Sequence, residues 1–187
     1  MSIARVGKEL ERMAKDNNPD IGVIWIGSDK RNLICFIRGP KDTIFEGAYF
    51  KLHCHIPDRY PFEPPVMIFM TKVWHPNISS VTGAICLDIL KSKWTPALNI
   101  SIALLSIQAL LTAAEPTDPQ DHEVATQYLQ SRGDYEAKAK EWVQKYAKES
   151  ILTDKEEMIE HWVRRGKNRD MVNSFLATHH WYDKGMP

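Results

Sequence analysis

The sequence predicts an α+β fold: a four-stranded antiparallel meander flanked by helices, with a short helical tail. Three observations carry this. Runs rich in Ile, Val, Phe and Tyr follow one another at 21–26, 33–38, 49–56 and 66–70, with no helical pattern between them, and strands joined by short connections pair antiparallel. Helical periodicity precedes these runs at 2–16 and returns at 100–113. Between strands and second helix, residues 74–97 keep neither period, and a long irregular segment inside a compact domain is usually functional. A chain of 187 residues suits one domain of about 150 residues with an extension. We place the core at 1–150 and the tail at 151–187.

Each element has its own signature. In the first helix Ile3, Val6, Leu10 and Met13 form one face, and Arg5, Lys8, Arg12 and Lys15 recur on another. Ser2 is a candidate N-cap, and Pro19 closes the helix because helix is disfavoured at the residue before proline. Turns are expected at Gly27-Ser28-Asp29, at Gly39-Pro40-Lys41-Asp42, and around Tyr60-Pro61-Phe62-Glu63-Pro64-Pro65. The helix at 100–113 carries Ile102, Leu104, Leu105, Ile107, Ala109, Leu110 and Leu111, apolar nearly all round, which predicts burial. Glu115-Pro116-Thr117-Asp118-Pro119 breaks it. Two amphipathic helices follow at 121–130 and 134–147, separated by Arg132-Gly133. In the tail, Thr153-Asp154-Lys155-Glu156 has the form of a capping box. Met158, Ile159, Trp162 and Val163 form its stripe, Gly166 is a stop, and Val172, Phe175 and Leu176 mark a second short helix.

Composition excludes several classes. Lys+Arg and Asp+Glu balance at 24 each, without the basic excess of a nucleic-acid binder. No apolar run approaches the roughly 20 residues that span a bilayer, and the charged N-terminus lacks the apolar core of a secretory signal. Three cysteines, Cys35, Cys54 and Cys86, give no paired spacing for a disulfide framework. A reducing compartment, cytoplasm or nucleus, is the expectation.

Cys86 stands apart from the other two. Cys35 and Cys54 lie in apolar strands and read as small buried hydrophobes. Cys86 lies in the irregular segment, where both a packing role and a nucleophilic one stay open. His75 is the nearest candidate base, although His75-Pro76-Asn77 reads more readily as a rigid turn that hydrogen-bonds the loop together. Asn77 offers a neutral amide, able to donate to a developing oxyanion or to brace the backbone. Asp118 is either a turn residue or a carboxylate that orients and helps deprotonate an incoming amine. His53 and His55 share one strand face while Cys54 points to the other. With no second ligand pair at the usual spacing, no zinc or other metal site is expected.

Five motifs in register resemble the ubiquitin-conjugating enzyme family over roughly residues 1–150. They are Tyr60-Pro61-Phe62-x-Pro64-Pro65, His75-Pro76-Asn77, Gly83-x-Ile85-Cys86-Leu87-Asp88-Ile89-Leu90, Trp94-x-Pro96-Ala97 and Glu115-Pro116-x-Asp118-Pro119. HPNISSVTGAICLDILK and AAEPTDPQDHEVATQY are most similar to the branch with a C-terminal ubiquitin-associated domain, whose members build chains on the position-48 lysine of ubiquitin. The resemblance implies that Cys86 accepts ubiquitin from the activating enzyme as a thioester and passes it to a lysine of a protein substrate or of ubiquitin, with or without a RING-type or HECT-type ligase. Asn77 would stabilise the tetrahedral intermediate or its loop, Asp118 would position the lysine, and His75 and Pro76 would support the loop. Arg5, Lys8, Phe62, Pro96 and Ala97 would contact ligase and activating enzyme. ATP would be consumed by the activating enzyme, so no cofactor is implied here. The tail departs from the pattern: Arg165-Gly166-Lys167 keeps the glycine of a ubiquitin-associated domain but not its apolar loop residues, and no third helix is expected. It therefore resembles a degenerate or truncated version. A non-catalytic scaffold of the same fold and a cysteine hydrolase using His75 are the competing readings.

Overall fold

The computed structural model describes residues 2–25 and 30–148. The expected turn at Gly27-Ser28-Asp29 and the whole tail from Ile151 lie outside them. The elements are α1 (Ser2–Asp16), β1 (Ile21–Trp25), β2 (Asn32–Arg38), β3 (Tyr49–His55), β4 (Val66–Phe69), a one-turn 3₁₀ helix (Asp88–Leu90), α2 (Ile100–Thr112), α3 (His122–Gln130) and α4 (Arg132–Tyr146).

The four strands form one antiparallel sheet in the order β1-β2-β3-β4. Val23 pairs with Cys35, Cys35 with Leu52, and Leu52 with Phe69. The pleat sends Leu33, Cys35 and Ile37 of β2, Phe50, Leu52 and Cys54 of β3, and Met67 and Phe69 of β4 into one core. Ile34 and Phe36 on the opposite face are also fully buried, so β2 reads as a continuous apolar run.

Helix α2 brings Ile100, Ala103, Leu104, Ile107 and Leu111 to that core. It starts on Asn99, whose side chain accepts the Ile102 N–H. The expectation of burial all round is refined: Ile102 and Leu105 reach the surface, because the sheet covers only one side. Helix α1 adds Val6, with Leu10 and Met13 packed at the margin.

Beyond one-residue shifts at ends of β2, β3, β4, α2, α3 and α4, two points differ from the sequence reading. Ser2 is already helical and buried, so it does not occupy the cap position. Helix α4 begins at Arg132, which leaves Ser131 alone between α3 and α4. Two local features favour the earlier start. Ser131 Oγ donates to Asp134 Oδ2 at 2.5 Å. Arg132 donates to Glu136 and lies 4.0 Å over the Tyr128 ring, which fixes its orientation in the first turn.

Candidate active site

The irregular segment is laid along the edge of β4 as a short hairpin-like excursion. Phe69 N–H donates to Gly83 carbonyl, and isolated bridges join Ile68 to Ala84 and Ile78 to Ile85. Ile78 and Ile85 are buried and anchor it. Gly83 is obligatory here: its φ is +75°, and a Cβ would lie 2.0 Å from the Phe69 carbonyl oxygen. Within the excursion Cys86 N–H donates to the Asn77 carbonyl at 2.9 Å. That bond brings the two candidate residues together across nine positions of sequence.

Cys86 is half-buried, whereas Cys35 and Cys54 are fully buried, as expected for core thiols. Burial also pushes the Cys35 thiol well above its usual range. Two charged groups flank the Cys86 sulfur. Asp118 Oδ2 lies 3.8 Å from it and Lys91 Nζ 3.4 Å. The structure thus unites Cys86 with Asp118, 32 positions apart. Lys91 escaped the sequence reading. Its one signal is a spacing of five from Cys86, which becomes proximity only because the 3₁₀ turn reverses the chain.

Asn77 is 2 % exposed and its side chain is fully engaged. Nδ2 donates to the carbonyls of Glu115 and Asp118 at 2.8 and 3.0 Å, and Oδ1 accepts the Glu115 N–H at 2.8 Å. An amide has two N–H donors, and both are spent on the backbone of the loop that carries Asp118. Of the two roles left open for Asn77, this geometry favours bracing.

Pro76 contributes through its carbonyl, which accepts the N–H groups of Gln120 and Asp121, each at 2.9 Å. Asp121 clamps the same region from its side chain. Oδ1 caps α3 on Val124 N–H, and Oδ2 accepts the Ser80 N–H and hydroxyl at 2.9 and 2.6 Å. Burial acts to raise the Asp121 pKa, but the hydrogen bonds from Ser80, Val124 and Glu123 outweigh it and hold the carboxyl below its usual range.

His75 is fully buried. Its Nδ1 accepts the Asn77 N–H at 3.1 Å, and its ring stands 6.0 Å from that of Phe45. Burial pushes its pKa down to about 3, against a weak opposing contact to the Leu110 backbone. Such an imidazole is neutral at physiological pH and a poor base. Full burial and the engagement of Nδ1 by the Asn77 N–H weigh against the hydrolase reading, which needs His75 as an accessible base.

A second region joins the residues expected to meet partners. Arg5 donates to Glu9 and, through one guanidinium nitrogen, to the carbonyls of Pro96 and Leu98 at 2.7 and 3.1 Å. Glu9 Oε2 accepts the Tyr60 hydroxyl and the Ile100 N–H, and Trp94 donates to the Pro61 carbonyl. α1, the proline-rich loop and the start of α2 are thereby tied into one surface. Phe62 projects from it, 70 % exposed, and Lys8, Pro96 and Ala97 are also exposed. Glu9, the hub of this network, gave no sequence signal beyond its place four residues after Arg5.

His53 and His55 both hydrogen-bond Asn32 Oδ1, while Cys54 is buried on the other face. Among the described residues no cluster of three or more His, Cys, Asp or Glu side chains is placed to hold a metal ion.

Residues 5–143 match the ubiquitin-conjugating enzyme family. The chain is 45 % identical to ubiquitin-conjugating enzyme E2 27 of Arabidopsis thaliana, over 95 % of this chain and 92 % of that one. It is 42 % identical to human ubiquitin-conjugating enzyme E2 K, over 96 % and 90 % respectively. The chain belongs to the ubiquitin-conjugating enzyme family. The solved E2 domain of a Toxoplasma gondii ubiquitin conjugating enzyme superposes with a TM-score of 0.74 at 48 % identity, covering 78 % of this chain and 98 % of that domain. As a ubiquitin-conjugating enzyme the protein is a transferase and works with ubiquitin, an activating enzyme and ligases. The similarity to the plant and human enzymes runs on past residue 150, so the tail is not peculiar to this chain.

Proposed function

We propose that Cys86 is the acyl carrier and Asp118 the residue that receives the acceptor amine. The cysteine sulfur attacks the thioester joining ubiquitin to the activating enzyme. A new C–S bond forms at Cys86, the old one breaks, and the proton leaves with the departing thiol. An acceptor lysine then attacks the Cys86 thioester, the C–N bond forms and Cys86 is released. Asp118, 3.8 Å from the sulfur, orients that amine and helps remove its proton. The observation that carries this reading is the placement of a half-exposed thiol beside an exposed carboxylate, with the His75 imidazole of the same loop fully buried. Thioester exchange needs only a modest thiolate fraction, and a strong base nearby would also promote hydrolysis.

The Arg5–Glu9–Tyr60 surface, with Phe62, Lys8, Pro96 and Ala97, is the docking face we assign to the activating enzyme and to RING-type or HECT-type ligases. Its exposed aromatic next to a basic helix supports this. Cytoplasm or nucleus is the compartment that suits three free thiols. We read the tail as a degenerate or truncated ubiquitin-associated domain.

The test is charging with ubiquitin, activating enzyme and ATP, resolved on a non-reducing gel. A band heavier by one ubiquitin is expected, removed by thiol reductant and absent in Cys86→Ala. No reductant-sensitive band in the unaltered protein sinks the assignment.

A further inference from the structure

His53 and His55 take no part in the chemistry proposed for Cys86, yet they converge on one atom. Asn32 Oδ1 stands 3.0 Å from His53 Nε2 and 3.1 Å from His55 Nδ1. The sheet register produces this. Residues two apart on a strand share a face, so β3 presents both imidazoles on the side away from the core, while Cys54 between them points inward and is buried. Asn32 of β2 lies directly opposite His55, and Ile34 lies opposite His53, so the amide meets both rings from the neighbouring strand. All three side chains are half-buried. Arg31, the basic residue next to Asn32, is ion-paired with Asp58. Sequence spacing alone misses the third donor, because an amide oxygen on the next strand enters only through the register.

We propose that His53, His55 and Asn32 form a site for one divalent transition-metal ion of the nickel–copper class, which pins β2 to β3. This does not rest on the thioester reading of Cys86. Two donors about 2.1 Å from a common ion are about 3.0 Å apart when they meet it at right angles and about 3.4 Å apart in a tetrahedron. The separations of 3.0 and 3.1 Å are those of adjacent corners at right angles. Ni²⁺ and Cu²⁺ favour that arrangement with nitrogen and oxygen donors. Without metal, each imidazole donates an N–H to the amide oxygen, which has two lone pairs to receive them. With metal, each neutral ring carries its proton on the other nitrogen and turns a lone pair to the ion. The amide oxygen is the third ligand, and water completes the shell. Nothing is oxidised or reduced, because the protons only change places on neutral rings. An ion that needs donors from two paired strands binds the folded sheet in preference to the unfolded chain, and so stabilises the fold.

The full chain is stripped of metal with a chelator, titrated with Ni²⁺ and followed through its backbone amide signals by NMR. Cys86→Ser is used throughout, so that the accessible thiol does not compete. Reading each residue separately distinguishes this site from the His179-His180 pair of the tail. The expected result is that the signals of Asn32, His53 and His55 broaden together along a single one-site curve. His53→Gln and His55→Gln should each raise the Ni²⁺ concentration at half-saturation by about tenfold or more. Asn32→Asp offers a charged oxygen at the same place and should lower it by about threefold, a direction that misfolding cannot imitate. Saturating Ni²⁺ should raise the thermal midpoint, and that gain should vanish in His55→Gln. Broadening confined to other residues, an unchanged half-saturation in either histidine variant, or no tightening in Asn32→Asp overturns the site. A midpoint that rises equally in His55→Gln overturns the pin between β2 and β3.

Discussion

The three hydrogen bonds of the Asn77 side chain make its role measurable. Asn77→Ala deletes two donors to the carbonyls of Glu115 and Asp118 and one acceptor for the Glu115 N–H. At about 0.5–1.5 kcal/mol each, these bonds hold the Asp118 loop by about 1.5–4.5 kcal/mol. The low end alone corresponds to about tenfold in the equilibrium between docked and undocked loop. If Asn77 acts by holding that loop, its loss and the loss of Asp118 remove the same benefit. Discharge of the thioester onto free lysine should then fall at least tenfold in Asn77→Ala and in Asp118→Ala. The double variant should be no more than about twofold worse than the worse single one. Amide exchange at Glu115 and Asp118 should quicken in Asn77→Ala, while charging by the activating enzyme persists. An oxyanion donor behaves differently. Such a donor contributes about 10²–10³ independently of the loop, so its effect would survive intact in the Asp118→Ala background. Additive losses in the cycle, with unchanged amide exchange, would refute the bracing argument.

Two further outcomes follow from the same loop. Gly83→Ala places a Cβ 2.0 Å from the Phe69 carbonyl oxygen at a φ of +75°. It should lower stability by about 2 kcal/mol or more, and an unchanged denaturant midpoint would contradict this contact. His75 is neutral in the folded protein down to about pH 3, against an ordinary value of 6.5. Below pH 6.5 the unfolded chain therefore binds a proton that the folded one does not. Stability should fall as pH drops from 6.5 towards 3. His75→Asn keeps an acceptor for the Asn77 N–H in an Asx turn and should flatten that slope; an equally steep slope in both proteins would remove His75 as its source.

The meander was legible because its strands are nearly unbroken apolar runs with turn residues between them, and tertiary packing did not override that pattern. Helix α4 was misjudged by two residues because Arg132-Gly133 reads as a stop. What holds its first turn is Arg132 against Glu136 and the Tyr128 ring, contacts that have no signature in composition. Cys86 was legible because its segment lacks periodicity. The roles of its companions were less so. Asn77 could be read as donor or brace, and only the folded loop shows both N–H groups committed to Glu115 and Asp118. Asp121, Glu9 and Lys91 were overlooked because a charged residue in polar surroundings looks solvated until its partner is known. Those partners lie at Ser80, Tyr60 and Ile100, and Cys86.

The commitments of these side chains limit how the site can be controlled. His75 is neutral and buried, and the Asn77 amide is consumed by backbone. The charged side chains recorded against the sulfur are thus Asp118 and Lys91, both on its open side. Nothing built into the loop then needs to switch for transfer to occur. On the proposed roles of Cys86 and Asp118, the rate is set by how soon an acceptor amine reaches the carboxylate. On that proposal, a ligase docked on the Arg5–Phe62 face would raise transfer by delivering an acceptor amine to Asp118.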